Sequence, residues 1–377
     1  MRIREIDGIR AFAVMAVVAT HYLNWIPYSG AQFGWLGVDL FFVLSGFLIT
    51  SILLDLKHKD GYFRTFYARR AFRIFPPYFF VLAIYLITSL ATHQLGTLNL
   101  WTKYVFYYAS LLLSQNHEYD LNAVTQAGLS ILWSLSVEEL FYTVWAPAVR
   151  WLSRTGFLIL LAALYFGASA FAVALHSHSP LSRFTFYCRM NGLALGSFVA
   201  VLVQARRRGP AGPTRADRLW DWSCLGFGLL AAGFFAFTGG DVNDVRTTAI
   251  GIPLADLFFA SVVYAVVRHA EENLLVCRLL RLRPIRSIGK VSYSLYLVHL
   301  PLMIVSTALV ARMHLSRHTH LPVAVLGITL SLCVTYAMWY GFEAHSMRLK
   351  DRMFPSKAES HALYQRTSER KLVSASD

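Results

Sequence analysis

The sequence predicts an all-α polytopic membrane protein of about ten transmembrane helices, and three observations predict it. Of the 377 residues, 56% are hydrophobic and only 15% charged, where a soluble chain carries about 25% charge. Apolar runs of about 20 residues, long enough to cross a hydrocarbon core of roughly 30 Å as helices, recur along most of the chain. The Lys and Arg residues behind the net charge of +14 gather in short segments between those runs. Lipid offers no partner to a free backbone N–H or C=O, so the runs must be helical.

The apolar runs lie at 8–27, 34–56, 74–92, 130–152, 156–175, 185–204, 221–238, 248–268, 289–312 and 321–343. The first follows Arg2, Arg4 and Arg10 as a signal peptide does, but no small-x-small cleavage site follows it, so it reads as a span. Basic segments at 57–73, 150–154, 205–220 and 268–288, and beyond Arg348, are placed in the cytoplasm. Both termini then lie inside and the ten spans alternate. Segment 93–129 must begin and end outside. Its short apolar stretch 104–114 is therefore re-entrant or interfacial, beside Trp101, Tyr104, Tyr107 and Tyr108.

The outer loop 312–320 breaks the charge rule with Arg312 and Arg317. Its His314, His318 and His320 read as solvated rather than metal-binding. Residues 1–350 form the transmembrane domain. Residues 351–377 read as a polar, disordered cytoplasmic tail, with no further domain expected after it. The basic charge is taken as a topology signal and as lipid headgroup contact, not as a nucleic-acid surface. Cys188, Cys224, Cys277 and Cys333 show neither metal-ligand spacing nor a disulfide framework. No metal is expected.

Ionisable groups inside spans are costly and mark functional sites. Arg10 and His21 share the first span. Eleven residues at about 100° each return to within about 20° of one face, with a rise of about 16 Å. Read singly, Arg10 is a snorkelling interfacial cation and His21 a core histidine; their common face favours a site. Glu138, beside Glu139, enters its span from outside to a depth of about 12 Å, the layer of His21. A carboxylate beside an imidazole fixes its tautomer and stabilises the imidazolium, which makes a general base. A buried structural ion network is the rival reading. Asp39 and Arg189 fall in the same layer. At the inner face, Arg70 and Arg73 project from one side if their segment is helical, and Pro76-Pro77 breaks or tilts that helix. With Arg10 they form a basic cluster suited to phosphate, or a plain topology anchor. The serines of Leu44-Ser45-Gly46 and Ser134-Leu135-Ser136 read as packing or hydrogen-bonding groups. The chain has no P-loop, dinucleotide fingerprint, HExxH or nucleophile elbow.

Five strings in order resemble the acyltransferase-3 family of membrane O-acyltransferases. They are Asp7-Gly8-Ile9-Arg10-Ala11 through His21, Gly37 through Ile49, Arg70 through Tyr78, Trp133 through Tyr142, and Ile288 through His299. The resemblance spans about residues 3–350. It implies about ten core spans, an acyl-CoA donor with no bound cofactor, and an essential histidine and arginine at His21 and Arg10. It also implies an Arg-x-x-Arg motif at Arg70 and Arg73, and a Trp-Ser-Leu-x-x-Glu motif ending at Glu138. The chain departs from the family pattern at Glu343-Ala344-His345, where Glu-x-Pro is common, and at Asn191, where an acid is common.

The expectation is transfer of an acyl group, most simply acetyl, from acyl-CoA to a hydroxyl of a carbohydrate or glycolipid in a bacterial cytoplasmic membrane. In this reading Arg10, Arg70 and Arg73 hold the donor, His21 is the base, Glu138 orients it, and Asp39 or Arg189 serves the acceptor or oxyanion. Succinyl or longer acyl groups and lipid or macrolide acceptors remain open. So do a proton-coupled transporter, though the paired broken helices of that class are not seen, and a non-catalytic assembly subunit.

Overall fold

A computed structural model describes residues 3–106 apart from 28, 95 and 97, then 123–176, 186–208, 215–313 apart from 271 and 273, and 320–355. These residues form helices and connecting turns, with no strand among them. In chain order the helices are α1 Arg4–Leu23, α2 Gly37–Leu56, α3 Tyr62–Ala91, α4 Leu98–Val105, α5 Ala123–Ser130, α6 Trp133–Trp151 and α7 Arg154–His176. They continue with α8 Met190–Arg208, α9 Arg215–Thr238, α10 Ile252–Arg268, α11 Leu275–Leu280, α12 Arg283–Lys290, α13 Ser292–Arg312, α14 His320–Met338 and α15 Ala344–Met353. Short 3-10 segments at Ala31–Leu36 and Phe186–Arg189 lead into α2 and α8, and π-helical turns at Thr247–Gly251 and Trp339–Glu343 flank α10 and α14.

Among the described residues, nine helical stretches are long and apolar enough to cross a membrane. The tenth expected span, 130–152, is the 19-residue α6, which carries Glu138, Glu139 and Arg150. The 104–114 stretch is described only to residue 106, the end of α4 and the turn after it. The remainder of that stretch, the histidines at 314 and 318, and residues 356–377 lie outside the described residues.

Two expectations about α3 are corrected. The basic segment 57–73 is not a loop from end to end, because α3 already begins at Tyr62; Arg64, Arg69, Arg70 and Arg73 are helical residues. Nor does Pro76-Pro77 break the helix, which runs on to Ala91. Proline at 76 takes away the N–H that would bond the carbonyl four residues back. That carbonyl, of Phe72, instead accepts a hydrogen bond from Ser346 Oγ of α15 at 2.6 Å. A tertiary donor thus replaces the lost local one, as an uninterrupted helix in lipid requires.

Small residues set the helix spacing. A Cβ on Gly196 of α8 would lie 1.9 Å from the carbonyl oxygen of Val43, and one on Gly46 of α2 would lie 2.1 Å from that of Leu193. The two backbones touch, as at other small-residue crossings in membranes. A chain of buried hydroxyls ties the same helices to α6: Trp145 Nε1 donates to Thr50 Oγ1 at 2.7 Å, Thr50 to Ser197 Oγ at 2.8 Å, and Ser197 to the Leu193 carbonyl at 2.8 Å. Gly196→Leu is therefore expected to destabilise the protein by at least ~1–3 kcal/mol, the usual cost of overpacking. Thermal unfolding of detergent-solubilised protein measures it; an unchanged midpoint would contradict the close crossing.

α1 sits at the centre, with Ala13, Val14, Val17 and Val18 buried. α7 and α9 lie at the rim and turn Phe166, Phe171, Trp222, Leu229 and Phe237 outward, as lipid-facing helices do.

Candidate active site

α1 and α13 carry the site between them. Arg10 Nε donates to Ser292 Oγ at 3.2 Å, and eleven residues further along α1 the ring of His21 lies 5.0 Å from that of His299. Both α1 residues thus face one neighbouring helix, in the common-face arrangement that their spacing predicts.

At the Arg10 end, Arg10, Arg70 and Arg73 line one cavity of about 850 Å³, its open mouth included. α3 supplies Arg70 and Arg73 from one face because they stand three apart in a continuous helix. Arg70 lies 4.8 Å from the centroid of the Tyr142 ring, a stacking that fixes the plane of its guanidinium. Arg73 interacts electrostatically with Arg10 and Arg70. Three like charges around one space repel, and the nearby carboxylates of Glu138 and Glu343 offset part of that repulsion. The cavity walls also include Phe41, Leu48 and Ile52, which suit an apolar stem behind a charged head.

Glu138 belongs to this cavity. Its Oε1 accepts from Ser45 Oγ at 2.7 Å and its Oε2 from the Tyr142 hydroxyl at 2.8 Å, and Arg10 and Arg70 are its charged neighbours. The expected Glu138–His21 pairing is not formed, because Glu138 sits at the Arg10 end of the site, among Ser45, Tyr142 and the arginines. Ser45 proves to be the hydrogen-bonding group its sequence setting suggests. Glu343 approaches from the other side: the π-helical turn Trp339–Glu343 buries it, Ser294 Oγ donates to its Oε1 at 2.5 Å, and Arg73 is its charged neighbour.

His21 meets His299 instead. Nδ1 of His21 lies 2.8 Å from the carbonyl oxygen of Val17. A carbonyl only accepts, so Nδ1 carries the hydrogen and Nε2 presents its lone pair. His21 is partly accessible and His299 fully buried behind it. His21 does not line the arginine cavity, but Tyr296 does, and the ring of Tyr296 lies 5.6 Å from that of His299. Tyr296 thus forms a wall of the cavity on one side and lies against His299 on the other.

Asp39 and Arg189 form a separate buried pair, with Arg189 Nη1 2.8 Å from Asp39 Oδ1. Arg189 lies 5.3 Å from the centroid of Trp133. Asp256 of α10, absent from the sequence expectations although it interrupts an apolar run, is fully buried and interacts with both. Arg189 thus serves two carboxylates. Arg189→Met strands both and is expected to cost at least ~3–5 kcal/mol, the usual price of breaking a buried pair. Asp39→Asn leaves Arg189 with Asp256 and is expected to cost less. Equal unfolding midpoints for the two variants would contradict the three-residue arrangement.

Among the described residues, Ser45 and Ser294 donate to carboxylates, those of Glu138 and Glu343, and not to a histidine. Burial, with Glu5 nearby, pushes the Cys277 thiol up, away from the thiolate that reacts. Among the described residues no group of three His, Cys, Asp or Glu side chains is placed to hold a metal.

The helices and the site define a multi-pass integral membrane protein with a cationic cavity next to an imidazole pair. Residues 3–340 match the family described as "Acyltransferase domain", and the chain belongs to that family. It is 28% identical over 319 residues to Peptidoglycan O-acetyltransferase OatA of Listeria monocytogenes, covering 80% of this chain and 50% of that protein. It is 29% identical over 329 residues to O-acetyltransferase OatA of Staphylococcus aureus, covering 79% and 50%. The chain spans about half the length of these curated relatives. No solved structure matches it.

Proposed function

We propose that the protein is a membrane O-acyltransferase that moves an acyl group, acetyl in the simplest case, from acyl-CoA to a carbohydrate hydroxyl. The observation that carries this reading is the facing of Arg10, Arg70 and Arg73 onto one cavity, one wall of which, Tyr296, lies against His299. A guanidinium binds phosphate oxygens bidentately, and CoA carries its phosphates at one end and its thioester at the other. The rise of about 16 Å from Arg10 to His21 along α1 is of the order of the arm between them. With the basic segments in the cytoplasm, the arginines face the compartment that holds acyl-CoA. The names of the relatives support a cell-wall glycan as acceptor.

In this mechanism His21 Nε2 takes the proton of the acceptor hydroxyl as its oxygen attacks the thioester carbonyl. The C–S bond breaks, and the thiolate of CoA recovers the proton from His21. Glu138 holds Tyr142, on which Arg70 stacks, and so positions the donor end of the site. In this scheme transfer is direct, the acceptor oxygen attacking the thioester itself.

Membrane vesicles containing the protein, given radiolabelled acetyl-CoA and a cell-wall glycan, are expected to label the glycan and release CoA. Mass spectrometry of surface glycans from cells with and without the gene should show the matching mass difference, and that difference identifies the acyl group. Labelling that proceeds without CoA release would overturn the donor assignment.

A further inference from the structure

His299 has no role in the scheme above, yet its surroundings are unusual for a core histidine. It is 0% exposed at the middle of the bundle. Its Nδ1 lies 2.7 Å from the carbonyl oxygen of Tyr296, so Nδ1 carries the hydrogen and Nε2 is the acceptor. That buried Nε2 has no hydrogen-bond partner. Buried polar atoms in native proteins are nearly always satisfied, and the exceptions gather where function needs them. The ring it faces, His21, is held in the same tautomer by Val17 and likewise offers an Nε2 lone pair. Two imidazoles, each with Nδ1 bonded within its own helix, thus lie with ring centroids 5.0 Å apart.

The backbone holds this arrangement firmly. The Tyr22 hydroxyl donates to the His299 carbonyl at 2.7 Å and lies 3.3 Å from Ser331 Oγ, which locks α1, α13 and α14 around the pair. Tyr296 also lies near the rings, its hydroxyl engaged by Ser134 and the Ile131 carbonyl.

We propose that His299 is the positioning residue of the transfer reaction, in the place the sequence gives to Glu138. It acts through His21. When His21 takes the hydroxyl proton at Nε2, the His299 lone pair faces the new imidazolium and stabilises it as second acceptor. The proton then returns to the thiolate of the departing CoA. The bonds balance: O–H and C–S break, C–O and S–H form, and the histidine pair ends as it began. The inference rests on the proposed acyl transfer with His21 as base.

The test uses the full-length protein in vesicles supplied with acetyl-CoA and a cell-wall glycan. His299→Ala is expected to lower kcat by about 10–100-fold while the KM values for both substrates stay within about twofold. Added imidazole, which restores ring and lone pair, should recover activity; pyrrole, which has the same shape and an N–H but no basic lone pair, should not. Equal rescue by both compounds, or a change in KM alone, would show a packing role and overturn the proposal. His299→Leu, closer in size and without an acceptor, guards against misfolding of the alanine variant and should show the same loss of kcat. Wild-type kcat in either folded variant overturns the proposal too. His21→Ala in the same assay separates the two levels: its full activity would sink the base assignment itself, whereas its inactivity beside an active His299→Ala would sink only the role of His299.

Discussion

His21→Ala is expected to reduce acyl transfer by about 10²–10⁴-fold, the range that a positioned general base contributes. The protein should still fold. His21 is only partly buried, and its one hydrogen bond is to the Val17 carbonyl within its own helix, so its removal strands no distant partner. The loss should therefore lie in kcat, with donor binding at the arginine cavity little changed. Steady-state rates on vesicles, alongside an unfolding midpoint for each variant, measure both. A folded His21→Ala protein at wild-type rate would remove His21 from the chemistry.

Arg70→Ala and Arg73→Ala carry the second large effect, in the opposite parameter. Each deletes a charged donor facing the cavity. A hydrogen bond to a charged group contributes ~1.5–3 kcal/mol, so the donor KM should rise by about 10–100-fold per variant. Arg70→Lys is expected to recover only part of this, since lysine cannot reproduce the planar stacking on Tyr142 or a bidentate grip on phosphate. Titrating acetyl-CoA against initial rate checks the prediction. A pure kcat effect with unchanged donor KM would place these arginines outside the donor site.

The contrast between the two sets of variants reflects how far the sequence could be read. Apolar run length and loop charge located the spans, and helical spacing alone put Arg10 with His21 and Arg70 with Arg73 on shared faces; the structure keeps both pairs. Depth also brought Asp39 level with Arg189, and they form an ion pair. The same depth argument failed for Glu138. The depth estimate put Glu138 level with His21, whereas its partners are Ser45, Tyr142 and the arginines of the Arg10 end. His299 was visible as a histidine in an apolar run, and Asp256 as an acid in another, both of which signal function or pairing. Their partners depend on which helices are adjacent, which no periodicity reports. The continuity of α3 through Pro76-Pro77 was illegible for the same reason, because the donor that satisfies Phe72 lies more than 270 residues away at Ser346.

The central claim is that the three arginines hold the phosphates of the donor. Calorimetric binding of acetyl-CoA to the purified protein in lipid nanodiscs tests it most directly, with S-acetylpantetheine as the phosphate-free comparison. Wild-type protein should bind acetyl-CoA far more tightly than S-acetylpantetheine. The double variant Arg70→Ala/Arg73→Ala should lose most of that preference, with Arg10 alone left on the phosphates. Equal affinity of the wild-type protein for both compounds, or full acetyl-CoA affinity in the double variant, would contradict the account.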